Sequence, residues 1–343
     1  MMVPAILSMQ RTAGAIALML MAFPLLVAGR TLEEFSPRLS ASAQVVWNAP
    51  TNNLPRSLWV YQRHGPRIFS PAIISNAMVL GSLQGKGIPK PPTKDFFIWE
   101  DRGPNYPGPI PALFSIRPAF GTISYCRPWP ARGAGTDLPS DTGVVARAWS
   151  ELRRFGVDPK QVKLKDLTSF FCCEDESGKP VSKRLCGRGA FLSRQLGGIS
   201  FLGKGDDGSA EGFWIELGSR GELRGFCLNW PDLDQHERHQ VASPVQLMEC
   251  IRKQKLMVLP GDEEGGYFQR LKRLGSARKL AITKITLYYS DGVFGDWPTN
   301  DVPSQFVAPC AELETAAEFK DGKATAVFLS PILASDAVRL LKR

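Results

Sequence analysis

Residues 211–255 constrain the fold more than any other stretch of the chain. They read EGFWIELGSRGELRGFCLNW, then PDLDQHERHQ, then VASPVQLMECIRKQK. A period of two sets Phe213, Ile215 and Leu217 on one side and Trp214 and Glu216 on the other, the signature of a strand. Gly218-Ser219-Arg220-Gly221 supplies a short loop with two residues free to take positive φ. The returning strand sets Phe226, Leu228 and Trp230 on one face. A polar connection follows. Ser243-Pro244 then opens a helix, a capping residue before Pro at the first helical position. Val245, Leu247, Met248 and Ile251 form its stripe, and Arg252, Lys253 and Lys255 crowd its last turn, where cations suit the dipole. A two-stranded ribbon needs a helix or more strands to bury its aromatics. The stretch therefore predicts a sheet-and-helix unit.

The same grammar recurs. Phe96 to Glu100 reads as a strand, and 112–125 as two strands broken at Pro118 and Gly121. Ser140-Asp141 caps a helix striped by Val144, Val145, Ala148, Trp149, Leu152 and Phe155 and closed by Gly156. The echo of 96–156 in 211–255 is that of a duplicated module, an alternation that α+β chains also produce by chance. Elsewhere, 57–61 is a strand, Ser70-Pro71 opens an apolar helix expected to be buried, 281–289 is a strand, and Asp321-Gly322 marks a hairpin near the end. A last helix starts at Ser335. The expected class is α+β: antiparallel sheets each packed against a helix, in two similar modules at 57–165 and 166–343.

The N-terminus reads as a targeting segment. Arg11 precedes an uncharged apolar run from Ala13 to Ala28, and Val27-Ala28-Gly29 offers the small residues of a cleavage site, so 1–29 is expected to be a signal peptide. Left uncleaved, it would be an N-terminal anchor; no second apolar run is long enough to span a membrane. Residues 30–56, interrupted by Pro37, Pro50 and Pro55, read as an extended, weakly ordered segment. The expected location is periplasmic or extracellular, where disulfides form. Seven cysteines leave at least one unpaired within the chain. Cys172 or Cys173 is within reach of Cys186 across a Gly-Lys-Pro turn, and a bridge from Cys227 to Cys250 would staple hairpin to helix; buried thiols are the alternative for either pair.

The formal net charge of +9 allows an acidic partner, but equally a solvated basic surface. The basic residues are scattered. Their nearest approach to a cluster is Arg270, Lys272, Arg273, Arg278 and Lys279, with no RNA-binding aromatic motif around it, so no nucleic-acid partner is expected.

Catalytic motifs are scarce. There is no GxSxG elbow, no P-loop, no strand-borne GxGxxG and no CxxC. His236-Glu237-Arg238-His239 is one residue short of HExxH, whose i, i+4 spacing sets both rings on one helical face. An alternative metal set is His236, His239 and Asp234; otherwise the loop is simply solvated. YQRHGPRIF resembles the RHGxRxP motif of histidine acid phosphatases. That resemblance implies His64 as nucleophile, with Arg63 and Arg67 holding phosphate. The match stops at Ile68-Phe69, and His236-Glu237 is the one candidate for the distal acid pair that the family needs.

In order of parts the chain resembles PepSY-type and related propeptide modules of exported bacterial proteins. The resemblance rests on Gly198-Ile199-Ser200-Phe201, on 212–230 and on the helix from Ser243, and is echoed in 112–156. It implies a binding, chaperoning or inhibitory role without catalytic residues or cofactor. With no complete catalytic set, the expectation is an exported, non-enzymatic protein that binds a protein or peptide, with Trp214, Trp230 and Trp99 as candidate contacts. The alternative is a phosphate-ester hydrolase at His64.

Overall fold

The computed structural model describes residues 35–52, 54–86, 88, 96–101, 112–127, 137–174, 180–202, 211–259, 267–290 and 305–334, with the side chains of 101, 172–174, 180–184 and 267 left out. The signal peptide and the helix expected from Ser335 lie outside these residues. No helix among them is long and apolar enough to cross a membrane.

The protein is β-rich, with two large sheets and four α-helices among the described residues, and this corrects the expectation of α+β modules each built on a helix. It divides into two units, one holding 64–232 and the other 35–63 with 233–334. Neither matches the division at 165/166 read from the sequence.

In the first unit an eight-stranded sheet runs in the order β3-β4-β5-β10-β9-β7-β6, with β8 beside β7. The strands are β3 (Phe97–Asp101), β4 (Ala112–Arg117), β5 (Thr122–Cys126), β6 (Val162–Glu174), β7 (Pro180–Leu196), β8 (Ile199–Ser200), β9 (Gly212–Leu217) and β10 (Leu223–Asn229). All pairings in it are antiparallel. Helices α1 (Pro71–Leu80) and α2 (Asp141–Arg154) start where their caps predict: Ser70 Oγ accepts from Ile73 N and Ser140 Oγ from Gly143 N. Ile74, Ala77 and Leu80 of α1 and Val144, Ala148 and Leu152 of α2 share one core with Ile116, Ile123, Phe213, Ile215, Phe226 and Leu228. Strand alternation turns Trp214 to the opposite face. There its indole lies across the sheet, with Gly189 of β7 under one edge and Gly225 of β10 under the other. A Cβ would meet the ring at 3.3 Å and 3.0 Å respectively. One acid was missed in the α2 stripe: Glu151 is 3% exposed, held by Arg147 at 2.8 Å and Arg154 at 3.0 Å.

In the second unit a seven-stranded sheet has β1 (Gln44–Trp47), β13 (Lys279–Ser290), β14 (Phe306–Glu318), β15 (Lys323–Pro331) and β12 (Met257–Val258) in that order. β2 (Ser57–Arg63) pairs with β14, and β11 (Leu233–Gln240) with β2. The segment 30–56 is thus not merely extended: within it β1 pairs in parallel with β13, and Phe35, Val45 and Ala49 are buried. Helix α3 (Pro244–Arg252) carries a full capping box between Ser243 and Gln246, and buries Leu247 and Ile251. Helix α4 (Tyr267–Gly275) buries Leu271 and Leu274.

The stretch that framed the sequence reading is therefore divided. β9 and β10 form the expected hairpin, but its polar sequel 233–240 is strand β11, and both β11 and α3 belong to the other unit. The echo of 96–156 in 211–255 is not a repeated module.

Candidate functional site

The RHGPR segment lies where the chain passes from one unit to the other. Arg63 is buried at the end of β2, whereas His64 is exposed and begins the first unit. Arg67 does not line an open phosphate cradle. Its backbone N donates to Pro118 O, its guanidinium stacks on Phe69 at 5.4 Å, and its Nη1 donates to the Trp230 carbonyl. Burial pulls the Arg67 pKa below its ordinary value; Asp232 opposes the shift and Arg194 adds to it.

Arg194, from the end of β7, completes this cluster. Its Nη1 donates to Glu211 Oε2 at 3.0 Å and to Pro231 O at 2.7 Å, and its guanidinium stacks on Trp230 at 4.6 Å. Two arginines thus hold two successive carbonyls, those of Trp230 and Pro231. His64 N donates to Asp232 O at 3.0 Å and ties the entering to the leaving chain, while Trp230 N donates to Gly121 O at 2.9 Å. Gly121, at φ 65, has no room for a side chain, since a Cβ would lie 2.4 Å from Pro231 Cα. The cluster pairs Arg194 with Glu211 and commits one nitrogen of each arginine to a backbone carbonyl, so it clasps the two chain crossings of the unit. Sequence reasoning missed Arg194, Glu211 and Gly121. A lone Arg at a strand end carries no signal of a partner that a hairpin turn brings to it.

The remaining candidates fall apart in space or into the interior. His236 and His239 lie on β11, where Glu237 approaches His239 Nε2 at 3.2 Å and His236 Nε2 at 3.9 Å. A register shift between Gln235 and Glu237 puts His236 at a bulge, with its ring 5.1 Å from that of Phe306. Among the described residues no three His, Cys, Asp or Glu side chains, Asp234 included, form a group that could hold a metal. Trp214 and Trp230 are 8% and 7% exposed, and Trp99 is half-buried against the first unit's core. Register sets Cys172 opposite Arg184, with Cys186 buried on β7; the side chains of Cys172 and Cys173 lie outside the described residues. Cys227 is on β10, and Cys250, on α3 of the other unit, is a free thiol. Burial pushes the Cys250 pKa up, with Lys255 and a hydrogen bond to Ser330 acting against it.

Four of the exposed large apolar side chains sit at the two margins of the eight-stranded sheet, while Ile68, Val245 and Phe268 are exposed elsewhere. β6 spans 13 residues and among the described residues pairs with β7 alone. Leu167 (41% exposed) and Phe171 (43% exposed) project from one side of it, while Phe170, on the other, meets Trp214 edge-on at 6.4 Å. At the opposite margin Phe96 and Ile98 are exposed at β3. Edge strands of native proteins are usually short or charged. The run Leu167-Thr168-Ser169-Phe170-Phe171 is neither charged nor broken by Pro.

No family model matches the chain, and no curated protein matches it. Among solved structures it is similar to an uncharacterized protein from Eubacterium rectale ATCC 33656, at 10% identity and a TM-score of 0.44, over 85% of this chain and 88% of that one.

Proposed function

We propose that this protein is a binding protein that takes an extended segment of a partner protein by strand addition at β6. The supporting observation is the uncharged edge run 167–171, with Leu167 and Phe171 exposed on one side of a strand paired only by β7 among the described residues. An added strand satisfies the outward backbone groups, and alternate side chains read the peptide. The positive net charge favours segments that alternate apolar with acidic residues.

The test is a displayed library of extended decapeptides panned on the wild-type protein, with enriched peptides measured by fluorescence anisotropy. Wild type is expected to bind in the micromolar range, with amide-exchange protection gained in 162–174. The variant Leu167→Lys/Phe171→Lys, checked for an unchanged melting temperature, is expected to lose at least tenfold in affinity. Peptides that bind both proteins equally, or protect amides outside 162–174, overturn the assignment.

A further inference from the structure

The second unit has a separate concavity. A pocket of about 430 Å³ is lined by Ser42, Gln44, Arg278, Lys279 and Glu318, at the start of β1 and β13. Register explains why these residues meet. Gln44 lies directly opposite Lys279, Lys279 opposite Glu318, and Glu318 opposite Lys323, so one row crosses four strands. Residues directly opposite one another project from the same face of a sheet. Backbone bonds lock the row at Arg278, whose N donates to Glu318 O at 2.8 Å while its carbonyl accepts from Gln44 N at 2.8 Å.

The charges do not cancel. The single acid of the lining, Glu318, is paired with Lys323 at 3.3 Å. Arg278 and Lys279 have no acidic partner among the described residues, and Arg273 nearby is stacked on Phe319 at 5.1 Å. The lining therefore presents two unmatched cations, the Gln44 amide and the Ser42 hydroxyl, which shares a hydrogen bond with Ser40 Oγ at 3.1 Å. A carboxylate offers one charge and two oxygens to this set. A phosphate monoester offers close to two charges and three acceptor oxygens, and so matches both the cations and the donors. The depression is open to solvent, with Ser42, Gln44 and Arg278 exposed, and its volume is well above that of one bare anion.

We propose that this pocket binds a small organic molecule through a phosphate monoester, with Arg278 and Lys279 as its charged anchors. The site is distinct from the β6 edge, and its test is independent of it. Calorimetric titration of the full chain at low ionic strength uses inorganic phosphate, ribose 5-phosphate, ribose as a neutral control, and phosphatidylcholine vesicles with and without phosphatidic acid. Ribose 5-phosphate is expected to bind at one site, more tightly than inorganic phosphate, and ribose not at all. Arg278→Gln and Lys279→Gln each act at a solvent-facing side chain and are expected to weaken binding at least tenfold. Lys272→Gln, on the exposed side of α4, is expected to leave it within twofold. No saturable binding of either phosphate, equal affinity in Arg278→Gln, or binding to acidic vesicles alone would each overturn the proposal. Because every variant is checked for an unchanged melting temperature, lost binding cannot be ascribed to unfolding.

Discussion

The clasp at Arg194 makes a quantitative prediction. Glu211 is 1% exposed and Arg194 9% exposed, and they meet at 3.0 Å. Replacing Arg194 by Leu removes the arginine partner of the buried Glu211 carboxylate, which costs about 3–5 kcal/mol. It also removes a hydrogen bond to Pro231 O and the stack on Trp230, worth about 1 kcal/mol each. Arg194→Leu is therefore expected to cost about 5–7 kcal/mol. Glu211→Leu strands the guanidinium less severely, because Pro231 O still accepts from it, and about 2–4 kcal/mol is expected. The double variant removes both charges of the pair, and its cost should fall well short of the sum, with a coupling of at least about 2 kcal/mol. A chain of two units need not unfold in one step. The readout is therefore urea-dependent amide exchange followed on peptides from 186–232, with peptides from 279–331 as internal reference. A single-variant cost under about 1 kcal/mol, or strict additivity in the double, would refute the clasp as an energetic unit.

Gly121→Ala sets a Cβ at 2.4 Å from Pro231 Cα and forces a left-handed backbone at φ 65 on a residue with a side chain. The backbone conformation alone costs about 1–2 kcal/mol, so a loss of at least that size is expected in the 186–232 exchange signal, and no loss would mean that the two segments do not touch. Tyr289 is buried, donates to Trp59 O at 3.1 Å and faces Tyr61, and burial raises its pKa above the ordinary value. The folded state then holds the phenolic proton more tightly than the unfolded chain. Its stabilisation is complete below about pH 10 and falls as pH rises further, by at most about 1.4 kcal/mol per pH unit. Tyr289→Phe should flatten that alkaline slope, as read by urea midpoints between pH 9 and 11.5, and an unchanged slope would remove Tyr289 as its source.

What was legible in the sequence was local. Ser70, Ser140 and Ser243 marked three helix starts because a cap and its N–H partner lie within three residues of each other. The β9–β10 and β14–β15 hairpins were legible for the same reason. β11 was not. Among the described residues it pairs with β2 alone, and it is exposed over most of its length, so LDQHERHQ has no apolar alternation to declare it. The long β6–β7 hairpin was hidden by register shifts near Leu164, Phe170 and Cys172, each of which breaks the period of two. The candidate tryptophans lie differently from the expectation, Trp214 and Trp230 buried and Trp99 half-buried. Trp214, Trp230 and Trp99 are large and apolar, which draws them inward. An exposed contact is decided by where a sheet ends, and no single strand carries that information.

The same blindness hid the division into units, because it is not linear. Arg63 and Leu233 are register partners in the β2–β11 ladder, and His64 N and Asp232 O continue the pairing one step further. In topology β2 and β11 are a hairpin whose turn is residues 64–232. Closing a loop of that length from a disordered chain costs about 4.5 kcal/mol beyond a constant, against less than about 1 kcal/mol for a two-residue turn. The cost vanishes if the insert folds first, because its own ends are then held at ladder distance, and the clasp at Arg67, Arg194 and Gly121 sits at those ends. Clasp variants should therefore act twice. They should lower the stability of 64–232, and they should slow β2–β11 pairing while leaving β13–β14 pairing at its wild-type rate. Pulse-labelled exchange during refolding separates the two ladders. If Arg194→Leu delays both equally, the insert does not fold ahead of the sheet that carries it. Replacing 64–232 by Asn-Gly supplies the converse test, since a two-residue type I′ turn removes the long closure altogether. Pairing of 57–63 with 233–240 in that shortened chain should then be fast and independent of any clasp.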